Sequence, residues 1–200
     1  MGRKKFWIIA IFLMLIPFIS AADFDHVISN SENWQDVYST IHYSNLQKID
    51  NDFLTSTNHG KSLLGGIRRT KKIMVVSSED NPYVINYPRM IESENFPEPQ
   101  QIIVDEANLE LIEELDDIKN FIIVDDSYGY NAIAVAPYAL KTNSWVFLAN
   151  QYNIDEIDSI LSNRETEKII SYGYLDREIS ETLEKHNPEI IDSGDKFEDN

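Results

Sequence analysis

The sequence predicts an α/β fold made of two repeated units, each with a mainly parallel sheet covered by helices in a Rossmann-like three-layer architecture. Three observations point there. Short, almost continuously apolar runs recur along the chain, as they do in parallel strands buried on both faces; half-exposed antiparallel strands would alternate instead. Segments with helical spacing lie between these runs, and alternating strands and helices form parallel sheets through right-handed crossovers. Finally, the strand-like run at 26–30 recurs at 121–125, and Asp36 meets Asn131 and Tyr43 meets Tyr138 at the same spacing.

The elements follow in order. Residues 1–22 combine a basic start (Arg3, Lys4, Lys5), an apolar stretch broken by Pro17, and small residues at Ser20, Ala21 and Ala22. This is the three-part pattern of a secretory signal peptide. Its charge-free run is shorter than the ~20 residues a spanning helix needs, so cleavage after Ala22 is expected; the alternative is an uncleaved membrane anchor. Either way the remainder lies outside the cytoplasm, at the cell surface or secreted. Strands are expected at 26–29, 52–55 and 73–77, giving a first unit over 23–96. Pro97 and Pro99 mark a linker. The second unit, 97–193, has strands at 102–104, 121–124, 145–149, 168–171 and 189–191. Its helices at 108–118, 153–162 and 176–185 carry Leu109, Ile112 and Leu115, then Ile154, Ile157 and Leu161, then Ile179 and Leu183, at helical spacing. Asn108 and Asp176 stand where helix N-caps belong, and Asn187-Pro188 stops the last helix. A one-residue slip aligns 53–54 with 147–148, and Lys72-Ile73 with Lys168-Ile169 after a further shift.

Composition narrows the function. With 17 basic and 34 acidic residues the formal net charge is −17, which argues against nucleic acid as a partner, since phosphate binding needs clustered Lys and Arg. A 42% hydrophobic and 11% aromatic content is enough for a packed core. The absence of cysteine excludes disulfides and thiolate chemistry. No glycine-rich phosphate loop and no Gly-x-Ser-x-Gly elbow occurs. His26, His42, His59 and His186 lack metal-ligand spacing. No catalytic residue, metal ligand or cofactor is therefore expected.

The second half carries a family resemblance. Phe121-Ile-Ile-Val-Asp125, Tyr128-Gly-Tyr-Asn131, Ala132-Ile-Ala-Val-Ala-Pro-Tyr-Ala139, Trp145-Val-Phe-Leu148 and Lys168-Ile-Ile-Ser-Tyr-Gly173 follow one another in order. This series resembles the cell wall-binding repeat of the second type, found in bacterial and archaeal surface proteins. The family's turn usually has Asp where Asn131 stands, an acid the first half keeps as Asp36 in Asn33-Trp-Gln-Asp36. Gly194-Asp-Lys-Phe-Glu198 is similar to the signature that opens a unit of that family, so 194–200 reads as the start of a further repeat. The resemblance implies a non-catalytic module tethering a surface protein to anionic wall polymers, commonly in threes, so further copies of the repeat are implied partners.

Ligands of parallel sheets bind outside the strand carboxyl ends. There the candidate polymer-binding residues are Asn33, Trp34, Asp36, Asp125, Tyr128, Tyr130 and Asn131. Their competing roles are turn and cap residues, or core in the case of Trp34. An anionic polymer would need either the basic run at 68–72 or divalent cations bridging carboxylates such as Asp36 and Asp125. The function expected is a non-catalytic cell-surface module that binds envelope or wall polymer. The alternatives are an extracytoplasmic solute or glycan receptor using a crevice near Pro97 and Pro99, and a hydrolase acting on surface polymers.

Overall fold

A computed structural model of the protein describes residues 24–192. The signal-peptide reading of 1–22 and the repeat-start reading of 194–200 both lie outside the described residues. The first unit runs β1 (His26–Asn30), α1 (Trp34–Leu46), β2 (Asp50–Phe53), α2 (His59–Gly66), β3 (Ile73–Ser78), α3 (Tyr87–Ser93) and β4 (Gln100–Val104). A connector follows, α4 (Ala107–Glu110) continued by a 3-10 turn (Leu111–Glu114). The second unit runs β5 (Asn120–Asp125), α5 (Tyr130–Thr142), β6 (Ser144–Ala149), α6 (Ile154–Asn163), β7 (Lys168–Tyr172), α7 (Arg177–Leu183), a 3-10 turn (Glu184–His186) and β8 (Glu189–Ile191).

Two four-stranded sheets result, ordered β2-β1-β3-β4 and β6-β5-β7-β8, with every pairing parallel. The fold is α/β with two similar units. The registers match as well as the order: His26 pairs with Asp50 and Ile73, and Phe121 pairs with Trp145 and Ile169. Val27-Ile28 and Ile122-Ile123 occupy the equivalent inner strands. One detail of the sequence alignment is corrected. Asp52 faces Ile28 and Phe147 faces Ile123, so Asp52, not Phe53, is the counterpart of Phe147, and no slip occurs before the second strand.

Three expected boundaries also move. β2 lies at 50–53 rather than 52–55, because its pairing with β1 begins at His26 and Asp50. The division at Pro97 is wrong: β4 follows these prolines but pairs with β3, so it completes the first sheet. The helix expected over 108–118 is one α-helical turn and a 3-10 turn, with Glu106 at the N-cap position. Asn108 sits inside it, buried, with its amide used elsewhere.

Packing makes the two units one body. One face of the first sheet (Ile28, Ile73, Val75) packs on Leu64 of α2 and on Tyr87 and Ile91 of α3. The opposite face of the second sheet's pair is similar: Ile122, Val124 and Val146 pack under Ala132, Val135 and Ala139 of α5. The remaining faces share one core, in which Val27, Met74 and Val76 join Phe121, Ile123, Trp145 and Phe147 through Leu109, Leu111 and Ile112 of the connector. Burying such side chains contributes about 1.5–3 kcal/mol each before entropy is counted.

The seam between the units falls on β6, an edge strand. Asn108 donates from Nδ2 to the Val146 carbonyl (2.9 Å) and accepts from the Leu148 N–H at Oδ1 (2.9 Å). Its primary amide therefore stands in for a neighbouring strand. His42 Nε2 bonds the Ser144 carbonyl at 2.9 Å further along the same edge. An open edge is a template for unwanted pairing, and here the first unit closes it.

Candidate functional site

The turns after β1 and β5, equivalent in the two units, lie side by side. Asn33 N–H donates to Ser31 Oγ (3.0 Å) and leads the chain into α1, whose first residue is Trp34. The Trp34 ring lies against Gly129, whose α-carbon would place a side chain 3.5 Å from the indole. One turn on, Tyr38 donates its hydroxyl to the Ala132 carbonyl (3.0 Å). Trp34 is thus partly committed to the joint and 36% exposed, while Asn33 is exposed beside it.

Asp36 is not at the surface. It is 3% exposed and accepts from Ser31 Oγ (2.7 Å) and from the Ala107 N–H (3.1 Å). Burial pushes its carboxyl above the usual range, although both hydrogen bonds favour the ionised form. Its Oδ1 ties α1 to the start of α4 and its Oδ2 holds the turn at Ser31, so it is removed from the polymer-binding set and cannot bridge a cation at the surface.

The second-unit candidates divide. Asp125 accepts from the Ser127 N–H (2.9 Å), a turn role, and remains half-buried. Tyr128 and Tyr130 are 67% and 72% exposed on either side of Gly129. Asn131 is half-buried, with its amide against Gly173, whose φ is +74°. Nearby, Asp126 accepts from Asn150 Nδ2 (2.6 Å) and Glu106 from Asn153 Nδ2 (3.3 Å), and burial raises the pKa of both carboxyls. Among the described residues no three His, Asp or Glu side chains are placed to hold a metal ion.

Next to Trp34 opens a groove of about 350 Å³ that sequence reasoning did not assemble. Its walls are Trp34 and Tyr38 of α1, Phe53 at the end of β2, Tyr83 in the loop after β3, and Ile133 from α5. They come from four separate segments, so no local pattern could have joined them. The clamp is Asn30, the last residue of β1. Its amide donates to Ser77 Oγ (3.0 Å) and the Val84 carbonyl (2.9 Å) and accepts from the Val84 N–H (3.0 Å). Thr57 Oγ1 donates to the Tyr83 carbonyl (3.0 Å), fixing the same loop from the other side.

The basic run at 68–72 lies at the other end of the sheet, just before β3, and is largely consumed internally. Lys71 pairs with Asp25 (3.2 Å) and Asp50 (3.1 Å), and Arg69 pairs with Glu94 (3.6 Å) while covering the Phe96 ring. It cannot serve a ligand at the strand carboxyl ends. The crevice expected near Pro97 and Pro99 does not separate the units, because both prolines lie within the first. Of the histidines, His42 is buried in the seam, and His26 and His186 bond Asp52 (3.0 Å) and Asp158 (2.6 Å). No described helix is long and apolar enough to cross a membrane.

No protein-family model and no curated protein matches the chain. Among solved structures it is similar to Cwp8 from Clostridium difficile, with a TM-score of 0.61 and 14% sequence identity. The match covers 84% of this chain and 30% of that one, so the chain spans under a third of its structural neighbour's length. At this identity the likeness is one of fold.

Proposed function

We propose that the chain is a non-catalytic cell-surface module that binds envelope or wall polymer along the carboxyl ends of its strands. The observation that carries this is the meeting of the two equivalent turns. With the Trp34 ring on Gly129, exposed aromatic side chains of both units (Trp34, Tyr128 and Tyr130) gather around one joint. Loops at strand ends escape the packing constraints of the core and so can carry such groups. Exposed aromatics arranged on a rigid scaffold suit a long, repetitive ligand better than an enclosed pocket does.

Two further points support the reading. The structural neighbour, Cwp8, is a cell wall protein. The hydroxyl–imidazole pair closest to a nucleophile with its base, Thr55 Oγ1 and His59 Nδ1 at 3.2 Å, is exposed, and the His59 ring makes no other hydrogen bond among the described residues. Nucleophilic catalysis ordinarily needs a third group to orient the base.

The test is retention of the purified chain on isolated envelope polymer in a sedimentation assay. Wild-type protein should pellet with the polymer, and Tyr128→Ser/Tyr130→Ser should release at least half of it while leaving the unfolding temperature unchanged. A wild-type chain that stays in the supernatant with every envelope fraction would refute the proposal.

A further inference from the structure

We infer that the groove beside Trp34 is a sugar subsite that takes one uncharged or amino-substituted pyranose ring. The inference deepens the polymer-binding reading above and assumes that the bound polymer is a glycan. Three properties of the groove select this ligand. The first is size: about 350 Å³ is room for one sugar ring with its substituents. The second is the wall. Trp34, Phe53 and Tyr83 are aromatic, Trp34 and Phe53 are 36% and 42% exposed, and Ile133 is 69% exposed. An aromatic face in contact with water is a poor surface to leave uncovered. The C–H face of a pyranose is a flat, weakly positive surface that matches the negative face of an aromatic ring. The walls are also held in place by the Asn30 clamp and the Thr57–Tyr83 bond, so closing on a ligand costs little ordering entropy.

The third property is charge. The groove has no Lys, Arg or His on its walls. Its ionisable rim group is Glu32, exposed and without an ion pair among the described residues. A carboxylate there accepts hydrogen bonds from sugar hydroxyls and attracts an ammonium group. It repels a uronate or a phosphodiester. Thr55, whose hydroxyl bonds His59 Nδ1 at 3.2 Å, stands on the same rim. An uncharged or amino sugar therefore fits, and an acidic residue of the same polymer does not. The basic run at 68–72, at the far end of the sheet, does not alter this field at contact distance.

The experiment is calorimetric titration of the full chain with three probes: an N-acetylglucosamine tetramer, a glucosamine oligomer, and a galacturonic acid tetramer. Binding of either of the first two, at least tenfold tighter than the galacturonic acid tetramer, is expected. Phe53→Ser should weaken that binding at least tenfold, and Glu32→Gln should weaken the glucosamine oligomer more than the N-acetylglucosamine tetramer. Phe53 is at the surface, so its variant should keep the wild-type unfolding temperature; Tyr83→Ser provides an independent second wall if it does not. The inference is overturned if neither the acetylated nor the amino probe binds, if the galacturonic acid tetramer binds as well as they do, or if both wall variants bind like wild type. Envelope retention separates the two readings. If Phe53→Ser and Tyr83→Ser still pellet with polymer as wild type does, the groove fails while the module reading stands. If the small probes bind in the groove but the chain never pellets, the module reading fails alone.

Discussion

Replacing Asn108 by Ala should destabilise the protein far more than one exposed amide would suggest. The side chain is 4% exposed and makes three hydrogen bonds: to the Val146 carbonyl and the Leu148 N–H on β6, and to Ser39 Oγ on α1 at 3.0 Å. Truncation leaves the two backbone groups without partners between buried residues. Each such orphan costs about 1–3 kcal/mol. Ser39 loses less, because its own hydroxyl still donates to the Gln35 carbonyl (2.7 Å). Allowing for relaxation of the seam, the net loss should be about 3 kcal/mol. In a chain of this size each kcal/mol lowers the melting temperature by about 2–4 °C, so a fall of about 6–12 °C is expected. Urea unfolding followed by tryptophan fluorescence and by circular dichroism measures the loss directly. Asn163→Ala is the control, since that amide donates to the Ser159 carbonyl on an exposed helix end and should cost under about 0.5 kcal/mol. If the Asn108 and Asn163 variants unfold at the same urea concentration, the strand-mimic reasoning is wrong.

Two other outcomes follow from the same seam and from the β7 end. His42 is buried and its pKa is lowered to about 4 from 6.5, chiefly by desolvation. Because the folded state binds this proton more weakly, the stability from His42 is complete above about pH 6.5 and is lost as the pH falls towards 4, by about 3 kcal/mol. Asp36, raised by burial, acts in the opposite direction, but it does so equally in a His42→Gln variant, so the difference between wild type and variant isolates the imidazole. Denaturation midpoints at pH 7, 5.5 and 4.5 should converge on acidification; parallel curves would contradict the assignment. Gly173→Ala should cost about 2 kcal/mol, since a side chain there is both left-handed and 2.7 Å from Asn131 Nδ2. In an Asn131→Ala background the clash goes and the cost should drop to about 1 kcal/mol. An unchanged cost in that background would show that the close approach does not matter.

The strands were most readable where five of them, such as 73–78 and 144–149, are buried along most or all of their length and composed accordingly. β2 was misplaced because Asp50-Asn-Asp-Phe53 is a polar edge strand, defined by its pairing rather than by its hydropathy. α1 has no apolar stripe: its buried positions include Asp36, Ser39, Thr40, His42 and Ser44. It lies between its own sheet and the second unit, whose carbonyls at Ala132 and Ser144 are met by Tyr38 and His42, so it could be inferred through the repeat but not from its own periodicity. The same cause misdirected the reading of Asp36, since an acid in a polar turn looks alike whether it faces water or the next helix. Trp34 could be singled out by its place after β1. Phe53, Tyr83 and Ile133 could not, because only tertiary folding brings them to it.

The use of Asn108 to seal β6 also bears on the order in which the protein is made. The amide that closes this edge precedes the strand by 38 and 40 residues. During synthesis the first sheet and its connector are complete before β6 emerges, so the later strand is matched to a partner already in place. A fragment starting at the second unit would carry an unsealed edge and the exposed flank of Trp145, whereas one ending after the connector would keep the pairing of its four strands while uncovering Val27, Met74 and Val76. The early half of the chain therefore acts as an assembly template for the late half, and damage to the connector would be felt in a sheet to which it contributes no strand.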